Sequence, residues 1–130
     1  MKELVETAQQ MRKKAKAPYS NYTVGAALLT IDDKIFTGCN VESASYSLTC
    51  CAERVAIFKA ISEGYHSFKA IAIATENGGS PCGACRQVLW EQCGDIPVFT
   101  VDQNNQVKTT STKVLLPNVF DDQSLIKRII

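Results

Sequence analysis

Cys82 and Cys85 stand three apart in SPCGACRQV, residues 80–88, just behind Pro81. The run following Pro81 reads as the start of a helix, with Cys82 in its first turn and Cys85 one turn on, so both thiols point the same way. A helix N-terminus carries partial positive charge and favours thiolates. Such a pair suits a metal ion or a redox disulfide equally well. TCCAER, residues 49–54, repeats the situation, because Cys51 opens another helix after a strand and a loop. In a parallel α/β sheet such junctions lie on one edge, outside the carboxyl ends of the strands. Cys51, Cys82 and Cys85 can then meet around one ion. Three protein ligands leave a fourth position open, which is the pattern of a catalytic zinc. Glu53 lies two residues beyond Cys51, close to such an ion without being forced to bind it. A carboxylate beside an activated water can act as general base and acid.

The elements that must position these groups are legible in the apolar pattern. Glu3–Lys16 reads as a helix from Leu4, Ala8, Met11 and Ala15, stopped by Pro18. Thr23–Ile31 and Lys34–Cys39 read as two strands of a hairpin turning at Asp32-Asp33. Cys51–Glu63 is expected as a helix with Val55, Ala56, Phe58, Ala60 and Ile61 inward, ended by Gly64. Phe68–Ala74 is a strand suited to burial on both faces, Gly83–Gln92 a helix, Pro97–Val101 and Val107–Thr110 strands, and Leu125–Ile130 a last helical turn. Strands followed by helices indicate crossovers, and the opening hairpin makes the sheet mixed. The expectation is one α/β domain over residues 1–130, a three-layer α/β/α sandwich with a mixed five-stranded sheet and helices on both faces.

Composition narrows the partners. The 130 residues suffice for one core, with 45% apolar and 21% charged residues. A net charge of +1 provides no large basic face, which argues against a nucleic-acid partner. The N-terminal MKELVETAQQMRKKAKA is amphipathic without an apolar signal core, and no window approaches a membrane span. Six cysteines in this context point to a reducing, cytoplasmic compartment, where they serve as ligands, nucleophiles or small core residues.

C-A-E followed about 30 residues later by P-C-x-x-C resembles the signature of the zinc-dependent cytidine and cytosine deaminases, in the form with cysteine as first ligand. YSNYTVGAAL, GCNVESASYSLTCCAER, SPCGACRQV and LLPNVF extend the resemblance to the small homotetrameric cytidine deaminases that act on free nucleosides, over roughly Pro18–Phe120. The resemblance implies one Zn2+ per chain on Cys51, Cys82 and Cys85, with Glu53 as the proton shuttle in hydrolysis at pyrimidine C4. It implies that Asn40 and Glu42 bind the ribose hydroxyls, that the Ala52 N–H holds the base carbonyl, and that the Ser80 carbonyl receives the departing ammonia. Tyr22 and Phe120 resemble the aromatics that pack on the pyrimidine, and Phe120 with Ala44–Tyr46 is implied to reach a neighbouring subunit's site in a homotetramer. Arg54 and Gln87 resemble the residues that donate to the thiolates, where a guanidinium withdraws excess negative charge from three sulfurs on one ion. The family often has Phe where Tyr22 stands, so a buried hydroxyl there needs a partner, and the loop Thr75–Gly79 is shorter than in many relatives.

Other features have plain readings. Cys50 is a packing thiol, Cys39 and Cys93 are core or surface thiols, and Trp90 packs its helix. His66, the single histidine, is expected to be exposed, which argues against a hydrolase triad. The rival function is a thiol–disulfide oxidoreductase using Cys82 and Cys85, which leaves Cys51-Ala52-Glu53 unexplained. A closed structural zinc site would need Cys50 as a fourth ligand in poor geometry. Among deaminases, a blasticidin S enzyme would share the zinc motif but is expected to differ in the NVESASY region.

Overall fold

The structure, a computed structural model, describes residues 1–129. Helix α1 (Lys2–Met11) precedes the hairpin β1 (Gly25–Thr30) and β2 (Ile35–Cys39). Helix α2 (Ala52–Ser62), strand β3 (Phe68–Ala74), helix α3 (Gly83–Cys93) and strands β4 (Pro97–Val101) and β5 (Val107–Ser111) follow. Two short helices close the chain, α4 (Thr112–Leu115) and α5 (Asp122–Ile129). The five strands form one mixed sheet in the order β2-β1-β3-β4-β5.

The alternation of side chains along the central strands splits the core in two. Ala27 and Leu29 of β1 and Ala70, Ala72 and Ala74 of β3 pack with Leu4 and Ala8 of α1. Ala26, Leu28, Ile71 and Ile73 face the other way, against Ala56 and Ile57 of α2 and Leu89 of α3. Helices therefore cover both faces of the sheet, as the sequence suggests. Two glycines set how closely they approach. A Cβ on Gly25 would lie 2.1 Å from the Ala8 carbonyl oxygen of α1, and one on Gly38 would lie 2.3 Å from the Ala52 carbonyl oxygen and 2.7 Å from the Ala56 nitrogen of α2.

Several expectations shift. The first helix ends at Met11 rather than Lys16; a 3-10 turn over Arg12–Lys14 follows, and Ala15 is extended. The cause is a competing backbone pairing, in which the Lys16 N–H donates to Asn40 O at 2.9 Å and Lys16 O accepts from the Glu42 N–H at 2.8 Å. Strand β1 begins at Gly25 rather than Thr23, because the Val24 N–H donates to the Asn40 side chain at 2.9 Å instead of to a strand partner. Phe58 was expected inward but is 48% exposed. The inward stripe of α2 is Ala52, Ala56, Ile57 and Ala60, and the helix settles over Gly38 at Ala52 and Ala56. Helix α4 was not anticipated, although Ser111 caps it by accepting the Val114 N–H at 3.3 Å. The final helix starts earlier than expected, at Asp122, and Ile130 lies outside the described residues. His66 is exposed, and Trp90 donates its Nε1–H to Asp121 Oδ2 at 3.3 Å.

Candidate active site

Strands β2 and β3 both pair antiparallel with β1, so they run in the same direction, and the helices that follow them start at the same edge of the sheet. The expected convergence is present, but the route to it is corrected: only β3 and β4 are parallel neighbours, and β1 lies between the two strands that feed α2 and α3. Cys51 is the N-cap residue of α2 and Cys82 that of α3, while Cys85 lies in the first turn of α3. The loop between β2 and α2 is closed by paired hydrogen bonds between Val41 and Cys50, N···O 3.0 and 2.9 Å. This closure returns the chain beside Asn40 immediately before Cys51.

The sulfurs of Cys51, Cys82 and Cys85 all lie within 4.8 Å of one another, and those of Cys51 and Cys82 are 3.8 Å apart. Tetrahedral Zn2+ with Zn–S bonds of about 2.3 Å requires sulfurs about 3.8 Å apart, so this pair already has the spacing such an ion imposes. The cluster contains Cys51, Cys82 and Cys85 but not Cys50. Arg54, one turn along α2, donates Nη2–H to Cys51 Sγ at 3.3 Å. Among the described residues its buried Nε–H has no partner, so a second donor is left beside the sulfurs. The donor set therefore fits a thiophilic divalent cation with surplus negative charge to be shared.

Electrostatics separate the thiols. A hydrogen bond from Cys85, followed by those from Arg54 and Cys82, holds the Cys51 thiol down at about 5 against the penalty of burial. The same contact with Cys51, together with burial, pushes the Cys85 thiol up. A cation held by all three sulfurs would need them as thiolates, so its binding would release protons. The hydrogen bond to Cys51 raises the Arg54 guanidinium further, keeping it charged. Glu53 is 4% exposed, and burial, with a smaller contribution from the Cys51 charge, lifts its carboxyl to about 7. A carboxyl in that range can accept and donate protons at neutral pH. Elsewhere burial raises the thiols of Cys50 and Cys93, the latter to about 12, which marks them as packing groups.

A cavity of about 290 Å3 opens onto this cluster. Cys51, Glu53 and Cys82 form its floor, and Tyr22, Asn40, Glu42 and Ser80 line its walls. The Asn40 side chain is already engaged, accepting from the Val24 N–H at 2.9 Å and donating to Tyr22 O at 2.8 Å. Glu42 accepts the Tyr19 and Ser20 N–H groups at 2.9 and 3.1 Å and the Ser20 hydroxyl, contacts that hold its carboxyl below the usual range, the Ser20 hydroxyl contributing most. Ala52 is the first residue of α2, so its N–H has no acceptor within the helix. Ala52 itself is fully buried and does not line the cavity, and four further expected residues lie away from it. Ala44 and Tyr46 are exposed, Phe120 is 50% exposed in the C-terminal segment, and Gln87 donates to Phe120 O and to Glu91 Oε1, both at 2.7 Å, instead of to sulfur. The backbone carbonyl of Phe120 claims the Gln87 amide because the segment after α4 folds back along α3. Arg86 was not anticipated; it donates to Pro81 O at 2.8 Å and Leu115 O at 3.0 Å, tying the turn before Cys82 to the end of α4. Its position directly after Cys85 was the available signal.

Three thiols at two helix starts, with a guanidinium and a buried carboxyl beside them, make a site whose donors suit zinc. The model of the cytidine and deoxycytidylate deaminase zinc-binding region matches residues 1–100. A cytidine deaminase of Sporosarcina psychrophila is 44% identical over 128 residues, 96% of this chain and 94% of the relative. A probable cytidine deaminase of Dictyostelium discoideum is 45% identical over 98% of this chain and 88% of its own length. The crystal structure of cytidine deaminase from Burkholderia pseudomallei superposes with a TM-score of 0.88 and 49% identity, covering 92% of this chain and 98% of the other. The chain belongs to the cytidine and deoxycytidylate deaminase family of enzymes.

Proposed function

We propose that this chain, acting as one deaminase domain over residues 1–130, hydrolyses the 4-amino group of free cytidine and 2′-deoxycytidine, yielding uridine and 2′-deoxyuridine plus ammonia, in cytoplasmic pyrimidine salvage. The observation that carries this reading is the approach of Cys51 and Cys82 to 3.8 Å, with Cys85 beside them and a buried carboxyl, Glu53, at the same cavity floor. One Zn2+ per chain on these three sulfurs would supply Lewis-acid activation of the attacking water. Glu53 takes the proton that the water gives up and passes it to pyrimidine N3; it then takes the remaining proton from the hydroxyl now on C4, as the C4–oxygen double bond forms and the C4–N bond breaks, and delivers it to the departing amine. Arg54 offsets the charge of the thiolates. The Ala52 N–H, at the positive end of α2, holds the base carbonyl, and the Ser80 carbonyl accepts from the leaving ammonia. Asn40 and Glu42 bind the ribose hydroxyls, and the Tyr22 ring packs on the base.

The cavity volume lies at the small end for ligand sites, which suits a free nucleoside rather than a polymer. Net charge supports the same choice. Among the described residues no helix is long and apolar enough to cross a membrane. The exposure of Tyr46, Leu48, Phe58 and Phe120 supports a homotetramer in which Phe120 and Ala44–Tyr46 complete a neighbour's site. The test is the ultraviolet absorbance of cytidine mixed with the purified protein. The expected result is a decline to the uridine spectrum that stops after a zinc chelator and resumes with zinc. No decline with zinc-loaded protein overturns the reading.

A further inference from the structure

The Tyr22 hydroxyl reaches the loop over residues 75–79. It donates to Asn77 Oδ1 at 2.7 Å. The same oxygen accepts the Gly79 N–H at 3.1 Å and lies 3.4 Å from the Thr75 hydroxyl, which itself accepts the Gly79 N–H at 3.0 Å. Asn77 is anchored in turn to the sheet, through a bridge to Asp102 and through the Gln103 N–H donating to Glu76 O at 3.2 Å. Tyr22 is held at its other end by the Asn40 amide on its carbonyl. Gly79 is confined by this contact: a Cβ there would lie 2.7 Å from the Tyr22 hydroxyl oxygen and 3.3 Å from Asn77 Oδ1. Tyr22, Thr75, Gly79, Ser80 and Cys82 all line the cavity, whereas Asn77 stands behind them.

We infer that Asn77 is a positioning residue, an acceptor behind the cavity wall that fixes both the Tyr22 ring and the Gly79–Ser80 backbone for the substrate. The inference rests on the deaminase reading above and deepens it. It assigns the Tyr22 hydroxyl to the loop and not to the ligand. Adding or removing that hydroxyl therefore changes how firmly the ring is held, not which sugar is recognised. It also links two walls from distant parts of the chain, one before β1 and one after β3, through a single oxygen atom.

The test compares Tyr22→Phe, Asn77→Ala, Asn77→Asp and the Tyr22→Phe/Asn77→Ala double variant, each zinc-loaded, on cytidine and 2′-deoxycytidine. Tyr22→Phe should raise KM roughly threefold to tenfold, the scale of one neutral hydrogen bond, with kcat within about twofold. Asn77→Ala should raise KM similarly and also lower kcat, because the Ser80 backbone is released. Asn77→Asp, which keeps the acceptor oxygen, should restore both. The double variant should be no worse than Asn77→Ala. The ratio of kcat/KM for the two nucleosides should stay at the wild-type value in Tyr22→Phe; a shifted ratio places the hydroxyl on the sugar and overturns the inference. Hydrogen exchange at the Gly79 amide provides a readout independent of turnover: it should accelerate in Asn77→Ala and return to the wild-type rate in Asn77→Asp. An unchanged rate in Asn77→Ala overturns the inference, whereas wild-type protein inert on both nucleosides overturns the deaminase reading and leaves the exchange result to judge Asn77.

Discussion

A groove beside α1, lined by Val5, Gln9, Phe99 and Val107, encloses about 500 Å3, against about 290 Å3 for the cavity at the starts of α2 and α3. The larger one is built from one helix edge and the β4–β5 hairpin, joined by the Gln9 amide donating to Asn105 Oδ1 at 2.7 Å. Among the described residues the one cluster of three potential metal ligands lies at the smaller cavity. Two helix N-termini, a buried carboxyl and a guanidinium meet there. Chain topology, by bringing two strand-to-helix junctions to one edge, matters more to chemistry here than volume does. Sheet packing can leave a groove, but opposed charges and thiols at one point require several elements to end together.

The contrast can be broken by substitution. Cys82→Ala should abolish turnover and lower bound zinc well below one per chain by metal analysis, because two sulfurs do not hold the ion. Glu53→Gln should retain zinc and lose at least ~10²-fold in kcat, the usual scale for a lost acid–base group, as read by steady-state kinetics. Arg54→Ala should keep part of its zinc and lose roughly 10- to 100-fold in turnover, the scale of an outer partner to a metal ligand. Gly38→Ala forces α2 away from β2 and moves the Cys51–Glu53 turn, so kcat/KM should fall about tenfold and the thermal midpoint should drop. At the larger groove, Gln9→Ala should leave kcat/KM within about twofold, since a surface change away from the site stays within about 0.5 kcal/mol. A tenfold loss there would erase the distinction between the two cavities.

Sequence alone made the site more legible than some of its scaffold. Cys51, Glu53, Cys82 and Cys85 were readable because two helix starts carry thiols, and the strand boundaries of Phe68–Ala74 and Pro97–Val101 were readable because unbroken apolar runs end in polar turns. Two of the misplaced boundaries share one cause, which is side chains and backbone paired across long separations. The early end of α1 depends on Lys16 pairing with Asn40 and Glu42, and the late start of β1 depends on the Asn40 side chain. Phe58 was read inward with Val55 and Ile61, while the close approach at Gly38 turns Ala52 and Ala56 inward, with Ile57 and Ala60 beside them. Arg86 had only its place beside Cys85 to mark it, and the tie of Asn77 to the Tyr22 hydroxyl, like that of Arg86 to the Leu115 carbonyl, joins residues distant in sequence.

X-ray absorption at the zinc edge of the metal-loaded protein tests the central claim most directly. Each ion should show three sulfur neighbours at about 2.3 Å and one lighter neighbour, oxygen or nitrogen. Four sulfurs around the zinc, or two, would contradict it.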